Sequence, residues 1–295
     1  MPSLQQLINA HYVVVASDYQ GQGTPSILPY LACKVTAQNG IDIVRAAHHI
    51  PGLKLSRSYL AWGYFEGVQT ALFIWKIAKS YAPELHIVGV VAVDAPSGLQ
   101  DSYEVLQNSP WQYYILMIVV GWNFAYGNKL APLNEIFTPL AYRITAMWNY
   151  RCGGFADAML TARIPLSELT KGDPNNIPAW HKLILQNDPM NFSKPTNIPL
   201  SIIQGSYDEL APLITSQPLV QHLCSVGAQV QRFIYPNLIY LNIIDPSTND
   251  TLHWINDRFA NKSFPDLTFK PVGLPVASAQ DCQTGFFNSQ LLKPW

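Results

Sequence analysis

The stretch Trp62-Gly63-Tyr64-Phe65-Glu66-Gly67 has the frame G-x-F-x-G, at the end of an apolar run and the start of a helical one. Two glycines around one side chain suit a sharp strand-to-helix turn, the arrangement that presents a serine hydroxyl for attack on an acyl carbon. Such a serine needs a histidine to take its proton, an acid to orient the histidine, and backbone amides to hold the oxyanion. Acid and then base follow the serine along the chain. Here the centre of the frame is Phe65, and a phenyl ring attacks nothing.

The acid has a candidate. Asp208, in "QGSYDELAP", follows the apolar run "PLSIIQ", although by itself it reads first as a turn or helix-capping aspartate. The base has none with the right placement. His11, His48, His49, His86 and His181 precede Asp208, and His222 lies in a helical segment. His253 alone comes after the last apolar strand, inside "TLHWINDRF", whose spacing is that of a closing helix. Ser58 and Ser206 lack a G-x-S-x-G frame and read as turn hydroxyls. No H-E-x-x-H and no carboxylate cluster at ligand spacing offers a metal site, and the lone "GQG" at Gly21 is too weak for a phosphate cradle. No cofactor is expected.

The elements that must position these residues alternate. "YVVVAS" (Tyr12–Ser17) reads as a β-branched strand ending in the loop "DYQGQGTPS"; "GIDIVRAAHHI" has helical spacing and stops at Pro51-Gly52. "SYLAW" reads as a short strand, "VQTALFIWKIAKSYA" as a helix and "HIVGVVAV" as a buried strand. The order βαβαβ predicts a mostly parallel sheet with helices on both faces. Strands resume with "PLSIIQ" and "QVQRFIY", before the helix "TLHWINDRFA". Between them, residues 97–195 read as a helical insertion rich in Trp and Tyr, far longer than an ordinary connection. The expected organisation is therefore a core of residues 1–96 and 196–295 with a helical cap or lid at 97–195.

With 295 residues, 48% of them hydrophobic and 13% charged, the chain can bury a substantial core. A net charge of −1 gives no electrostatic reason to expect nucleic acid as a partner. "WQYYILMIVVGWNFAYG" (Trp111 to Gly127) is apolar but short of the roughly 20 residues of a spanning helix, and no transmembrane segment is expected. Cys33, Cys152, Cys224 and Cys282 are too far apart for C-x-x-C chemistry; their number permits two disulfides without requiring any. N-x-S/T triplets open at Asn191, Asn249 and Asn261, as suits a secreted surface, yet "MPSLQQLINAHYVVV" has no signal-peptide pattern.

"YVVVASDYQGQGTPSILPYL", "WGYFEG", "SYAPELHIVGVVAVDAP", "NDPMNFSKPTNIPLSIIQGSYDELAP" and "FIYPNL" follow one another as in the fungal and actinobacterial secretory lipases, which the chain resembles over nearly its whole length. The resemblance implies an α/β-hydrolase fold with a helical cap, ester substrates such as triacylglycerols, and secretion. Members usually carry further residues upstream, including a signal peptide and the first strands. It further implies that Phe65 stands at the nucleophile position, Asp208 at the acid and Tyr240, in "YPNLIY", at the histidine. The main-chain amides of Asp18 and Glu66 fall at the oxyanion positions, which do not depend on side chains.

Serine to phenylalanine and histidine to tyrosine can each arise by a single cytosine-to-thymine change. Three readings follow: a protein without triad hydrolysis whose apolar pocket still binds a hydrophobic small molecule or lipid ester; an active enzyme, either an esterase with a displaced base or a biosynthetic catalyst for a hydrophobic molecule; and a truncated gene product.

Overall fold

A computed structural model describes residues 3–95, 98–107, 109–148, 160–194, 196–264, 271 and 277–282. Among these, the helices of ten residues or more are α1 (Cys33–Ala47), α2 (Glu66–Tyr81), α3 (Tyr113–Tyr126), α4 (Pro178–Asn187), α5 (Leu213–Ser225) and α6 (Ile244–Phe259). The strands are β1 (Ser58–Tyr64), β2 (His86–Val93), β3 (Leu200–Gly205), β4 (Val230–Tyr235) and β5 (Ser278–Asp281). The chain divides into two compact units, the first of residues 1–17, 37–97 and 192–295, the second of 18–36 and 98–191.

The first unit holds the sheet, in the order β1-β2-β3-β4-β5. β1 to β4 pair in parallel and β5 runs antiparallel to β4. Parallel strands with both faces covered become near-continuous apolar runs, and β3 and β4 are buried at every residue. Alternation still decides which face each side chain serves. Val91, Val93, Ile203, Phe233 and Tyr235 join Trp254 and Ile255 of α6 in one core. Gly89 lies on the same face, where a Cβ would come within 2.7 Å of the Trp254 ring.

The opposite face includes Arg232, which is wholly buried. Its guanidinium donates to Gln217 Oε1, to Gln204 Oε1 at 2.9 Å and to Ser216 Oγ at 2.8 Å. Ser216 and Gln217 come from α5, so a polar knot fastens that helix to β3 and β4. These partners carry no negative charge, and burial pulls the guanidinium pKa down to about 10. A disulfide between Cys224 and Cys282 joins the end of α5 to the residue after β5.

One expectation is corrected in this unit. Tyr12–Ser17 forms no strand. The helix Leu4–Asn9 ends instead in a left-handed turn at His11 (φ 64°), with Tyr12 N–H bonded to Leu7 O and His11 N–H to Ile8 O. That turn sets the Tyr12 ring against Phe259 of α6, centroids 5.1 Å apart. Strand propensity is realised only beside a pairing edge; here Val13 and Val14 face solvent. The sequence reading also included no strand at β5, whose Ser-Ala-Gln-Asp carries none of the β-branched pattern that marks the other strands.

In the second unit, α3 runs 14 residues, too short to span a bilayer. Its Trp122 stacks on Trp180 of α4 at 6.4 Å, and a Cβ on Gly121 would lie 2.5 Å from Tyr30 N, so glycine admits the 18–36 segment at close range. Asn187 secures the same segment by accepting from Cys33 N–H (3.0 Å) and the Tyr126 hydroxyl (2.9 Å). Cys33 is a buried thiol that donates to Leu31 O; Cys152 lies outside the described residues.

Candidate functional site

Phe65 caps α2 at φ 53° and ψ −111°, a conformation that L residues avoid. Its N–H bonds Val93 O at 3.3 Å and its carbonyl accepts from Val68 N–H at 3.0 Å, so the turn is fixed from both sides. The first glycine of the frame is obligatory: a Cβ on Gly63 would fall 1.9 Å from Gly67 O, whereas a Cβ on Gly67 would meet nothing within 4 Å. The strained strand-to-helix turn expected from the spacing is therefore present, with a phenyl group at its apex.

Tyr240 opens a short 3-10 turn (Tyr240–Asn242) after β4. Its ring meets Phe65 edge to face at 5.1 Å and stacks on Tyr64 at 5.1 Å. The Tyr64 hydroxyl donates to Tyr240 O at 2.6 Å, tying the end of β1 to the turn after β4. Burial is the main cause holding the Tyr64 phenol far above its usual pKa, with the Tyr240, Asp94 and Asp208 groups adding to it. Three aromatic rings thus gather around the positions expected for nucleophile and base.

Asp208 sits in the turn after β3 and is buried. Its Oδ1 accepts from Leu210 N–H and Ala211 N–H, each at 2.8 Å, the turn geometry that its sequence also permitted. Asp94, a residue that sequence reasoning passed over, ends β2 at φ 54° with no solvent exposure. Gly205 N–H reaches its Oδ1 at 3.4 Å. Burial first, then the charge of Asp208, pushes the Asp94 pKa up to about 10, and Oδ2 of each acid is buried without a hydrogen-bond partner. Asp94 is therefore held as a neutral acid at pH 7, and burial raises the Asp208 carboxyl as well. The signal was an acidic residue closing the apolar run "HIVGVVAV".

Glu66 stands in the first turn of α2, with Oε1 buried and without a partner, and burial raises its pKa to about 7. Asp18 belongs to the second unit, at the start of its 18–36 segment. His253 is on α6, half exposed and 3.4 Å from Asp257. The arrangement offers an aromatic surface, a strained turn and two buried acids, Asp94 being neutral at pH 7.

A family profile described as secretory lipase matches residues 1–130. Among solved structures, Candida antarctica lipase A in its closed state superposes with a TM-score of 0.67 at 21% identity, over 80% of this chain and 56% of that one. A putative hydrolase of Legionella pneumophila gives 0.72 at 18% identity, over 86% and 72%. The fold is that of the α/β-hydrolases.

Within that fold the sequence relatives are distant. Lipase A of Arthroderma benhamiae is 23% identical over 249 residues, 84% of this chain and 53% of its own length. A secreted triacylglycerol lipase of Malassezia globosa is 24% identical over 77% of this chain and 52% of its own. The chain spans about half the length of these curated relatives. Among the described residues, no helix of this hydrolase-fold chain is long and apolar enough to cross a membrane.

Proposed function

We propose that the chain is a secretory-lipase-like protein without triad hydrolysis, which uses the aromatic end of its sheet to hold an apolar, lipid-like molecule. The observation that carries this reading is the Phe65–Tyr240 ring pair at 5.1 Å on a turn that keeps its strained backbone. A nucleophile and its base work at about 2.6–3.2 Å; two rings at the corresponding places exclude water and present apolar surface. In this reading Phe65 and Tyr240 occupy the serine and histidine positions, Asp208 keeps the acid position, and the amides of Asp18 and Glu66 keep the oxyanion positions. Residues 97–195 act as the helical cap. Secretion belongs to the same proposal. Its support is the Cys224–Cys282 disulfide, the exposed asparagines Asn191, Asn249 and Asn261 that open N-x-S/T triplets, and a relative described as secreted.

The test pairs two assays on the purified chain. Hydrolysis of a short-chain nitrophenyl ester should not exceed the protein-free rate, while an environment-sensitive fluorescent fatty acid should bind saturably and be displaced by an unlabelled one. Tyr240→Glu should weaken that binding. Ester hydrolysis abolished by Asp208→Asn would overturn the proposal, as would the absence of saturable binding.

A further inference from the structure

Three asparagines open N-x-S/T triplets, and the fold treats the triplets differently. Asn249 is exposed on α6, but Asp250 is wholly buried, where it accepts from the Tyr235 hydroxyl, and Thr251 is 8% exposed. Residues two apart on a helix stand about 200° apart around its axis, so the amide and the hydroxyl of this triplet lie on opposite sides. Asn191 and Ser193 are exposed, while Phe192 between them is buried against Phe73 and Trp75 of α2, with ring centroids 5.1 and 6.1 Å away. Asn261, Lys262 and Ser263 are all exposed and lie beyond the end of α6.

The backbone of this last triplet is fixed by the helix it follows. Asn261 takes φ 52°, a left-handed conformation that asparagine enters more readily than most residues with a Cβ. Its N–H bonds Arg258 O at 3.1 Å and Lys262 N–H bonds Asp257 O at 3.0 Å, the paired bonds of a Schellman turn. Lys262 Nζ meets Asp257 at 2.6 Å and ties the middle residue back to α6. Among the described residues, no hydrogen bond engages the side chain of Asn261 or Ser263. A glycan on Asn261 therefore displaces no side-chain bond and breaks no main-chain one.

We infer that Asn261 is an N-glycan attachment site, the most fully occupied of the three. The co-reactant is an oligosaccharide carried on a lipid diphosphate. The Asn261 amide nitrogen attacks C1 of the first sugar, the C1–O bond breaks, the lipid diphosphate leaves with the electron pair, and one amide proton passes to a base of the transferase. Transfer to a nascent chain competes with folding at every triplet. At Asn261 the folded chain remains an acceptor too, because amide and hydroxyl both stay in solvent. The inference rests on the secretion part of the proposed function and adds to it the residue that is modified.

The test sends the full chain through a yeast secretory pathway behind a cleavable leader. Enzymatic removal of N-glycans in heavy-oxygen water turns each glycosylated asparagine into a labelled aspartate, and peptide mass spectrometry reads the three sites separately. Asn261 should carry the label in a larger fraction of chains than Asn191 or Asn249. Asn261→Gly suits the left-handed cap, and Ser263→Ala keeps Ser263 O as an acceptor for Arg258. Each variant should lose one glycan and migrate faster on a gel. Chains retained inside the cell are read in the same way, so poor secretion of a variant does not block the measurement. Asn261 bare, or less occupied than either other triplet, would overturn the assignment. The leader enforces entry into the pathway, so that result leaves the apolar-ligand reading to its own binding assay, and a loss of saturable binding leaves the glycan site standing.

Discussion

Phe65 and Tyr240 meet edge to face with ring centroids 5.1 Å apart, the first at the apex of the turn between β1 and α2 and the second just after β4. Residues at the two ends of this contact come from elements 175 positions apart in the chain, as the numbers 65 and 240 give directly. The contact therefore reports tertiary structure, and it should be measurable as coupling.

Aromatic pairs of this geometry contribute about 0.5–1.5 kcal/mol beyond the area they bury. A double-mutant cycle with Phe65→Leu and Tyr240→Leu should give a coupling free energy in that range by urea unfolding. Strict additivity would mean that the rings do not interact in solution.

Backbone strain at residue 65 can be separated from loss of the ring by comparing two truncations. Phe65→Ala and Phe65→Gly both remove the phenyl group, but only glycine accepts φ 53° and ψ −111° without a Cβ penalty. Phe65→Gly should be the more stable of the two by about 1 kcal/mol. The reverse order, expected from unfolded-state entropy alone, would show that the turn relaxes.

Reversion tests the site. Phe65→Ser alone supplies a hydroxyl without a base, and Tyr240→His alone a base without a nucleophile, so each should remain at the parent's rate against a nitrophenyl ester. The double variant should exceed either by at least about 10²-fold. A folded double variant no faster than its parent would locate the loss of hydrolysis beyond these two side chains.

Arg232 is a buried cation whose hydrogen-bond partners are neutral and whose Nε has none, and replacing such a residue by an apolar one of similar volume is often neutral or stabilising. Arg232→Met should leave the urea midpoint unchanged or raise it. Gln217→Leu, which strips the guanidinium of one acceptor, should cost about 1–3 kcal/mol. If Arg232→Met were the more damaging change, the knot between α5 and the sheet would be worth more than its desolvation cost.

The sheet was legible because its strands are buried runs: "HIVGVVAV", "PLSIIQ" and "QVQRFIY" announce β2, β3 and β4 through composition alone. The turn at Phe65 was legible through Gly63, whose missing Cβ is a steric requirement. Tyr12–Ser17 misled because propensity says nothing about whether an edge is there to pair with. Asp94 escaped notice for a related reason. A carboxyl at the end of an apolar strand reads as a turn residue until the fold covers it, and burial first, then the Asp208 charge, keeps it protonated.

The Cys224–Cys282 bond has a sequence separation of 58. Everything between those cysteines, including β4, the turn that carries Tyr240 and the whole of α6, is threaded on a covalently closed ring. A protease that nicks this ring once produces no separate pieces: the protein still migrates as one species on a non-reducing gel and falls into two only when thiol is added. The turn carrying Tyr240 can therefore be opened at a single peptide bond while both flanks stay tethered to the same molecule, a form of damage that gel migration does not reveal until reduction.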